Sequence, residues 1–127
     1  EQRVRESFAR QGAMETLGAC LTRIEAGAVD IELPWALTLT QQHGFVHAGM
    51  VATALDSACG YAAFTLMPAD AAVLTIEFKI NLLRGARGER LSCRADVLKR
   101  GSTLTVVESQ VYAESAGRRE LVAKLNA

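Results

Sequence analysis

Gln41-Gln42-His43-Gly44-Phe45-Val46-His47-Ala48-Gly49 leads directly into an apolar run, Ala48 to Met67, whose one formal charge is Asp56. The run has the length of a bilayer span. An acid near the membrane centre would cost roughly 2.5–3.5 kcal/mol, however, and the run is rich in Ala, Gly, Ser and Thr rather than Leu and Ile. It therefore reads as a helix buried within a protein, from about Ala48 to Leu66 and stopped by Pro68. A carboxylate in such a helix is costly unless something nearby uses it, and buried acids that persist are mostly paired or catalytic. No Lys or Arg falls between Arg23 and Lys79, so no neighbour in sequence pairs with Asp56.

Outward from this helix the pattern is strand-like. Val29, Ile31 and Leu33 alternate with Asp30 and Glu32, so Cys20 to Leu33 predicts two strands around a turn at Ala26-Gly27, limited by Pro34. Val4 and Phe8 predict a short amphipathic N-terminal helix over Arg3 to Gln11. Beyond Pro68, Leu74, Ile76, Phe78, Ile80 and Leu82 alternate with polar residues, as do Leu91, Cys93, Ala95 and Val97. Leu104 to Glu114 and Leu121 to Leu125 complete four strands, with turns at Arg84 to Gly88, Lys99 to Ser102 and Ala116-Gly117. Short turns imply antiparallel neighbours. The expected class is α+β, one curved antiparallel sheet wrapped around one long central helix, with residues 1–127 as a single domain. The strand at Leu104 to Val111 is apolar on both faces, which asks for a second cover and predicts self-association.

The chain of 127 residues is 50% apolar with zero formal net charge, which argues against a disordered tail or a charge-driven nucleic-acid binder. Cys20, Cys59 and Cys93 are scattered, as expected of reduced thiols in a cytoplasm. The start at Glu1 rather than Met is consistent with trimming, and no basic-then-apolar leader follows it.

Residues three, four and seven positions from Asp56 share its face: Gly49, Ala52, Thr53, Cys59, Gly60 and Ala63, all small. Such a face suits either the wall of a slot or close packing on a sheet. The first N–H groups of the helix are unpaired and partly positive, so those of Ala48 or Gly49 suit a developing oxyanion. Asp56 lies about 12 Å further along the axis at about 1.5 Å per residue, too far to act on the same bond. The geometry works if two copies face each other, the helix start of one beside the acid of the other.

These residues resemble those of the hotdog-fold acyl-CoA thioesterases, in particular the phenylacetate-degradation type. The resemblance rests on Gly44-Phe45-Val46-His47-Ala48-Gly49 with Asp56 nine residues after His47, and on the strand Thr75 to Arg84. It implies an acyl-CoA thioester hydrolase acting on a small aromatic or short-to-medium acyl group. In its terms Asp56 is nucleophile or general base, Ala48 the oxyanion donor, and Gln41 a contact to the nucleophile or carbonyl. Thr75 helps to hold the water, and His47 shapes the site or assists the leaving thiolate. It further implies a site shared between subunits of a homodimer, expected within a homotetramer. The family usually reads His-Gly-Gly; Ala48 keeps the N–H but would be strained if φ were positive there.

Gly49, Thr53 and Gly60 are expected to line the substrate slot. Of the basic residues between Arg84 and Arg100, one or two are expected at the phosphates of coenzyme A, with Arg84 and Arg100 as candidates; the bland reading is solvated turns and protected edges. No cofactor is expected, since coenzyme A belongs to the substrate. His43 and His47 are four apart but lack a third ligand, so no metal is expected. Cys59 with His47 and Asp56 spells a nucleophilic trio, against which stands an inert helical thiol. A hotdog-fold enoyl or hydroxyacyl thioester dehydratase and a non-catalytic acyl-CoA-binding protein are the alternatives on the same fold.

Overall fold

The computed structural model describes residues Glu1–Ala127. Two short helices, α1 (Gln2–Arg10) and α2 (Gly12–Leu17), precede strands β1 (Cys20–Glu25) and β2 (Ala28–Pro34). A 3-10 turn at Leu37–Leu39 leads to the long helix α3 (Ala48–Phe64). Strands β3 (Lys79–Leu82), β4 (Arg90–Arg100), β5 (Thr105–Ser115) and β6 (Arg118–Asn126) complete the chain. The expected order of two strands, one long helix and four strands is what forms. The α2 turn was not anticipated; it seats Met14 and Leu17 in the core and ends at Gly18, φ +67°.

All six strands join one antiparallel sheet in the order β1-β2-β4-β5-β6-β3. This corrects one expectation. β3 does not form a hairpin with β4, because β4 is already paired by β2 on one side and β5 on the other. β3 instead takes the far edge, with Ile80 opposite Leu125 of β6. It is also shorter than the alternation suggested. Leu74 and Ile76 lie in an extended stretch and are 88% and 74% exposed, and no residue from Ala72 to Phe78 donates a backbone hydrogen bond.

α3 lies across the concave face, against β2, β4 and β5. Ala54, Ala58 and Ala62 recur every four residues and are fully buried, so the helix can approach the sheet closely, with Val51 and Leu55 filling alongside. Its C-terminus is tied down twice. Thr65 Oγ1 accepts from the Gly27 N–H at 2.8 Å in the β1–β2 turn. The Arg3 guanidinium donates to the carbonyls of Phe64, Met67 and Pro68 at 2.7, 3.0 and 2.7 Å, at the end of the helix and in the turn that follows it. These contacts hold α1 against the second half of α3.

Outside the sheet, Leu98, Leu104 and Val106 stand 57%, 58% and 47% exposed on the face turned from the core, while Val107 and Val111 on the other face are buried. The two-sided apolar pattern of this strand is thus real, and its outer side is bare in one copy.

Candidate active site

The segment before α3 is a tight, pinned loop. Thr40 bridges Val46, the Gln41 N–H donates to Phe45 O at 2.9 Å, and Gly44 turns the chain at φ +86°. Two side chains hold it from outside. Trp35 Nε1 donates to Gly44 O at 3.1 Å, and Arg87 donates to His43 O at 2.9 Å while its guanidinium lies 4.5 Å from the Phe45 ring centre. Gln41 Oε1 accepts from the His43 N–H, which leaves the Gln41 amide nitrogen unengaged. His47 is the N-cap of α3: its Nδ1 accepts from the Gly49 N–H at 2.9 Å, so the ring proton sits on Nε2.

Ala48 is the first helical residue, and its N–H donates to no oxygen. Its backbone is not among the positive-φ positions, so the methyl group carries no strain where glycine is usual. Ala48 faces a cavity of about 280 Å³ lined also by Val51, Leu82, Arg84, Gly85 and Ala86. Gly85 is required there, since a β-carbon would meet Phe45 Cδ1 and Cε1 at 2.5 Å.

Asp56 faces a different cavity, of about 380 Å³. It is half-buried, and its Oδ1 accepts from Thr75 Oγ1 at 2.8 Å. Gly60 lines this cavity as the small face suggested, but Cys59 and Ala63 are buried in the core and Tyr61 and Phe64 line the wall. The expectation of a slot free of bulk therefore holds only beside Asp56 and Gly60. Helix α1 supplies the opposite wall through Ser7, Arg10 and Gln11. Ser57 Oγ donates to Gln11 Oε1 at 2.9 Å, and Ser7 shares a hydrogen bond with the Tyr61 hydroxyl at 3.2 Å. These wall residues were missed because their contacts span 46 and 54 positions. The available signal was the polar i, i+3, i+4 trio Ser7, Arg10, Gln11, which borders the Val4 and Phe8 face of the same segment.

In one copy, then, Asp56 with Thr75 and Ala48 with Arg84 line separate cavities. Gly49 serves the His47 cap, and Thr53 Oγ1 donates to Gly49 O at 2.8 Å; neither lines the Asp56 cavity. Arg84 is paired with Glu120 at 3.3 Å. Arg100 ends β4 opposite Thr105 and lines neither cavity. Arg90 and Arg94 pair with Glu32 and Asp30 at 3.3 and 3.7 Å, so part of the basic cluster braces the sheet. Burial pushes the Cys59 thiol up to about 12, which leaves no thiolate for nucleophilic attack.

Comparison with known proteins adds a family and a fold. The model of the Thioesterase superfamily matches residues 43–119, the span from His43 to the start of β6. A relative in Halobacterium salinarum, provisionally named an esterase, is 34% identical over 105 residues, covering 79% of this chain and 69% of its own. The crystal structure of a thioesterase family protein from Silicibacter pomeroyi superposes at a TM-score of 0.98 with 54% identity, over 99% of this chain and 93% of that one. The E. coli PaaI protein, from the phenylacetic acid degradation operon, superposes at 0.89 over 98% of this chain and 87% of that one. At 17% identity, that likeness bears on the fold alone.

Proposed function

Because this chain belongs to the Thioesterase superfamily and is a hotdog-fold thioester hydrolase, we propose that it cleaves acyl-coenzyme A with Asp56 acting at the carbonyl carbon. Asp56 either attacks that carbon, giving an anhydride that water then opens, or takes a proton from the attacking water. In both routes the C–S bond breaks, the thiol leaves with a proton, and a carboxylic acid remains. The Thr75 hydroxyl orients the carboxylate, and the free amide nitrogen of Gln41 is available to the water or carbonyl. The Ala48 N–H, at the positive end of α3, stabilises the oxyanion. His47 fixes the start of the helix. Arg84, at the mouth of the Ala48 cavity, is the stronger candidate for a coenzyme A phosphate, and Arg100 the weaker.

The observation that carries this reading is that acid and donor, about 12 Å apart along one helix, line two separate cavities. A complete site joins the Asp56 cavity of one copy to the Ala48 cavity of another, making the working form a homodimer or a homotetramer built from it. The exposed edge at β3 and the unpaired stretch before it offer backbone groups for that union. The acyl group is a small aromatic or a short-to-medium chain, the size that a 380 Å³ cavity takes.

The test is thiol release from a panel of acyl-coenzyme A substrates, run beside hydration of an enoyl thioester. Asp56→Asn should lower hydrolysis by on the order of 10²–10⁴ with the fold intact. Full hydrolysis by that variant would remove Asp56 from the mechanism, and hydration without thiol release would favour a dehydratase.

A further inference from the structure

Arg3, Arg5, Arg23, Arg84, Arg87, Arg90, Arg94 and Arg119 each hold a carboxylate, a carbonyl or an aromatic ring. Arg10, Arg100 and Arg118 hold none, and of these three only Arg10 lines the cavity of Asp56. It lies in the last turn of α1, where the helix dipole favours a cation. That accounts for a positive charge at this end of the helix but not for its place in the cavity wall. The wall around it is built: α1 is fastened to α3 by Arg3, by Ser7 on Tyr61 and by Gln11 on Ser57. The Gln11 and Ser7 side chains beside Arg10 are therefore committed to α3, and the guanidinium is the one cationic donor in that wall left for something else.

The charge balance points the same way. A half-buried cavity whose anion is Asp56 repels any second anion. Asp56 has no ion pair in the structure, and its one hydrogen bond comes from the neutral hydroxyl of Thr75. A guanidinium carried on the wall of the same cavity offsets that repulsion and supplies a planar pair of donors suited to a carboxylate or phosphate. We infer that Arg10 recognises an oxyanion of the substrate in the Asp56 cavity. That oxyanion is the terminal carboxylate of a dicarboxylic acyl chain or a phosphate of the carrier. This inference rests on the thioesterase reading above.

The experiment compares Arg10→Gln with wild type on four thioesters. Glutaryl and valeryl chains, which have the same number of carbons but end in a carboxylate or a methyl, are each offered on coenzyme A and on N-acetylcysteamine, which lacks phosphates. If the oxyanion is the acyl carboxylate, Arg10→Gln lowers the glutaryl-to-valeryl ratio of kcat/KM by about 10- to 100-fold on both carriers. If it is a phosphate, the variant loses a similar factor on both coenzyme A substrates and not on the short carrier. Arg10→Lys recovers part of either loss. Changes below about twofold on all four substrates would overturn the inference while leaving the hydrolase standing. No hydrolysis of any substrate by wild type, with Asp56→Asn indistinguishable from it, would remove the thioesterase reading and this inference together. Arg10 is exposed and unpartnered, so its loss should leave the melting temperature unchanged. A marked drop would assign it a structural role instead.

Discussion

Replacing Ala48 with proline deletes the N–H proposed to hold the oxyanion and changes little else. Ala48 is the first residue of α3, the helical position that accepts proline best. His47 before it already has φ −59° and ψ 136°, the region that a following proline imposes. The lost hydrogen bonds nothing in the structure, so no acceptor is stranded. Stability should stay within about 1 kcal/mol of wild type, while turnover falls about 10²- to 10³-fold, the usual effect of removing one oxyanion donor. The sharper consequence appears on mixing. Ala48 and Asp56 of one copy line different cavities, so each complete site of the proposed dimer draws one from each copy. A dimer of Ala48→Pro with Asp56→Asn then has one site with both defects and one with neither. Random reassembly makes about half the dimers mixed, so two nearly dead preparations should recover about a quarter of wild-type activity. The variants would be refolded together with different tags, mixed dimers isolated, and thiol release followed. Verified mixed dimers with no activity beyond the sum of the parents would refute a site shared between copies.

Thr75→Val removes the donor to Asp56 while keeping the shape of the side chain. A hydrogen bond to a charged group is worth about 1.5–3 kcal/mol, and at this half-buried site the lower end applies, so turnover should fall roughly tenfold. Thr75→Ser should retain most of it, and equal rates for the two variants would count against the role. Under native conditions a thiol reagent should modify Cys20 alone, because Cys59 and Cys93 are buried and their thiols raised by desolvation; mass spectrometry reads the result. The Glu114 carboxyl is lowered from 4.5 chiefly by the Ser92 hydroxyl, with Arg90 adding to it. A depressed carboxylate stabilises the fold above its ordinary value and loses that contribution as pH falls through the lowered one. Ser92→Ala should therefore cost up to about 1 kcal/mol at neutral pH and progressively less as the pH falls below 4.5 and through the lowered value, as measured by denaturant unfolding across that range.

The helix from Ala48, the β1–β2 pair and the alternation of β4 and β5 were legible because burial on one side leaves a periodic trace in the residues themselves. The place of β3 was not. Leu74 to Leu82 alternate as a half-buried strand does, but alternation records which face is apolar and not which strand lies alongside. Leu74 and Ile76 stay exposed, so their alternation marks no face buried within one copy. The surroundings of Asp56 were half legible. Its spacing from His47 and the match of Thr75 were visible, whereas Arg10, forty-six positions away, enters the cavity only because α1 folds back on α3. A search for cations near Asp56 along the chain could not find one delivered through space.

The residues from Ala72 to Phe78 have a kinetic implication. Thr75, which steadies the acid, rides on seven successive amides that donate to no backbone carbonyl in a lone copy. In the proposed dimer, dilution would strip this stretch of its neighbour before the core of β2, β4 and β5 felt any loss. Specific activity would then decline with concentration while circular dichroism stayed constant. The amount of protein in a compartment, and not only the supply of substrate, would act as a throttle on flux.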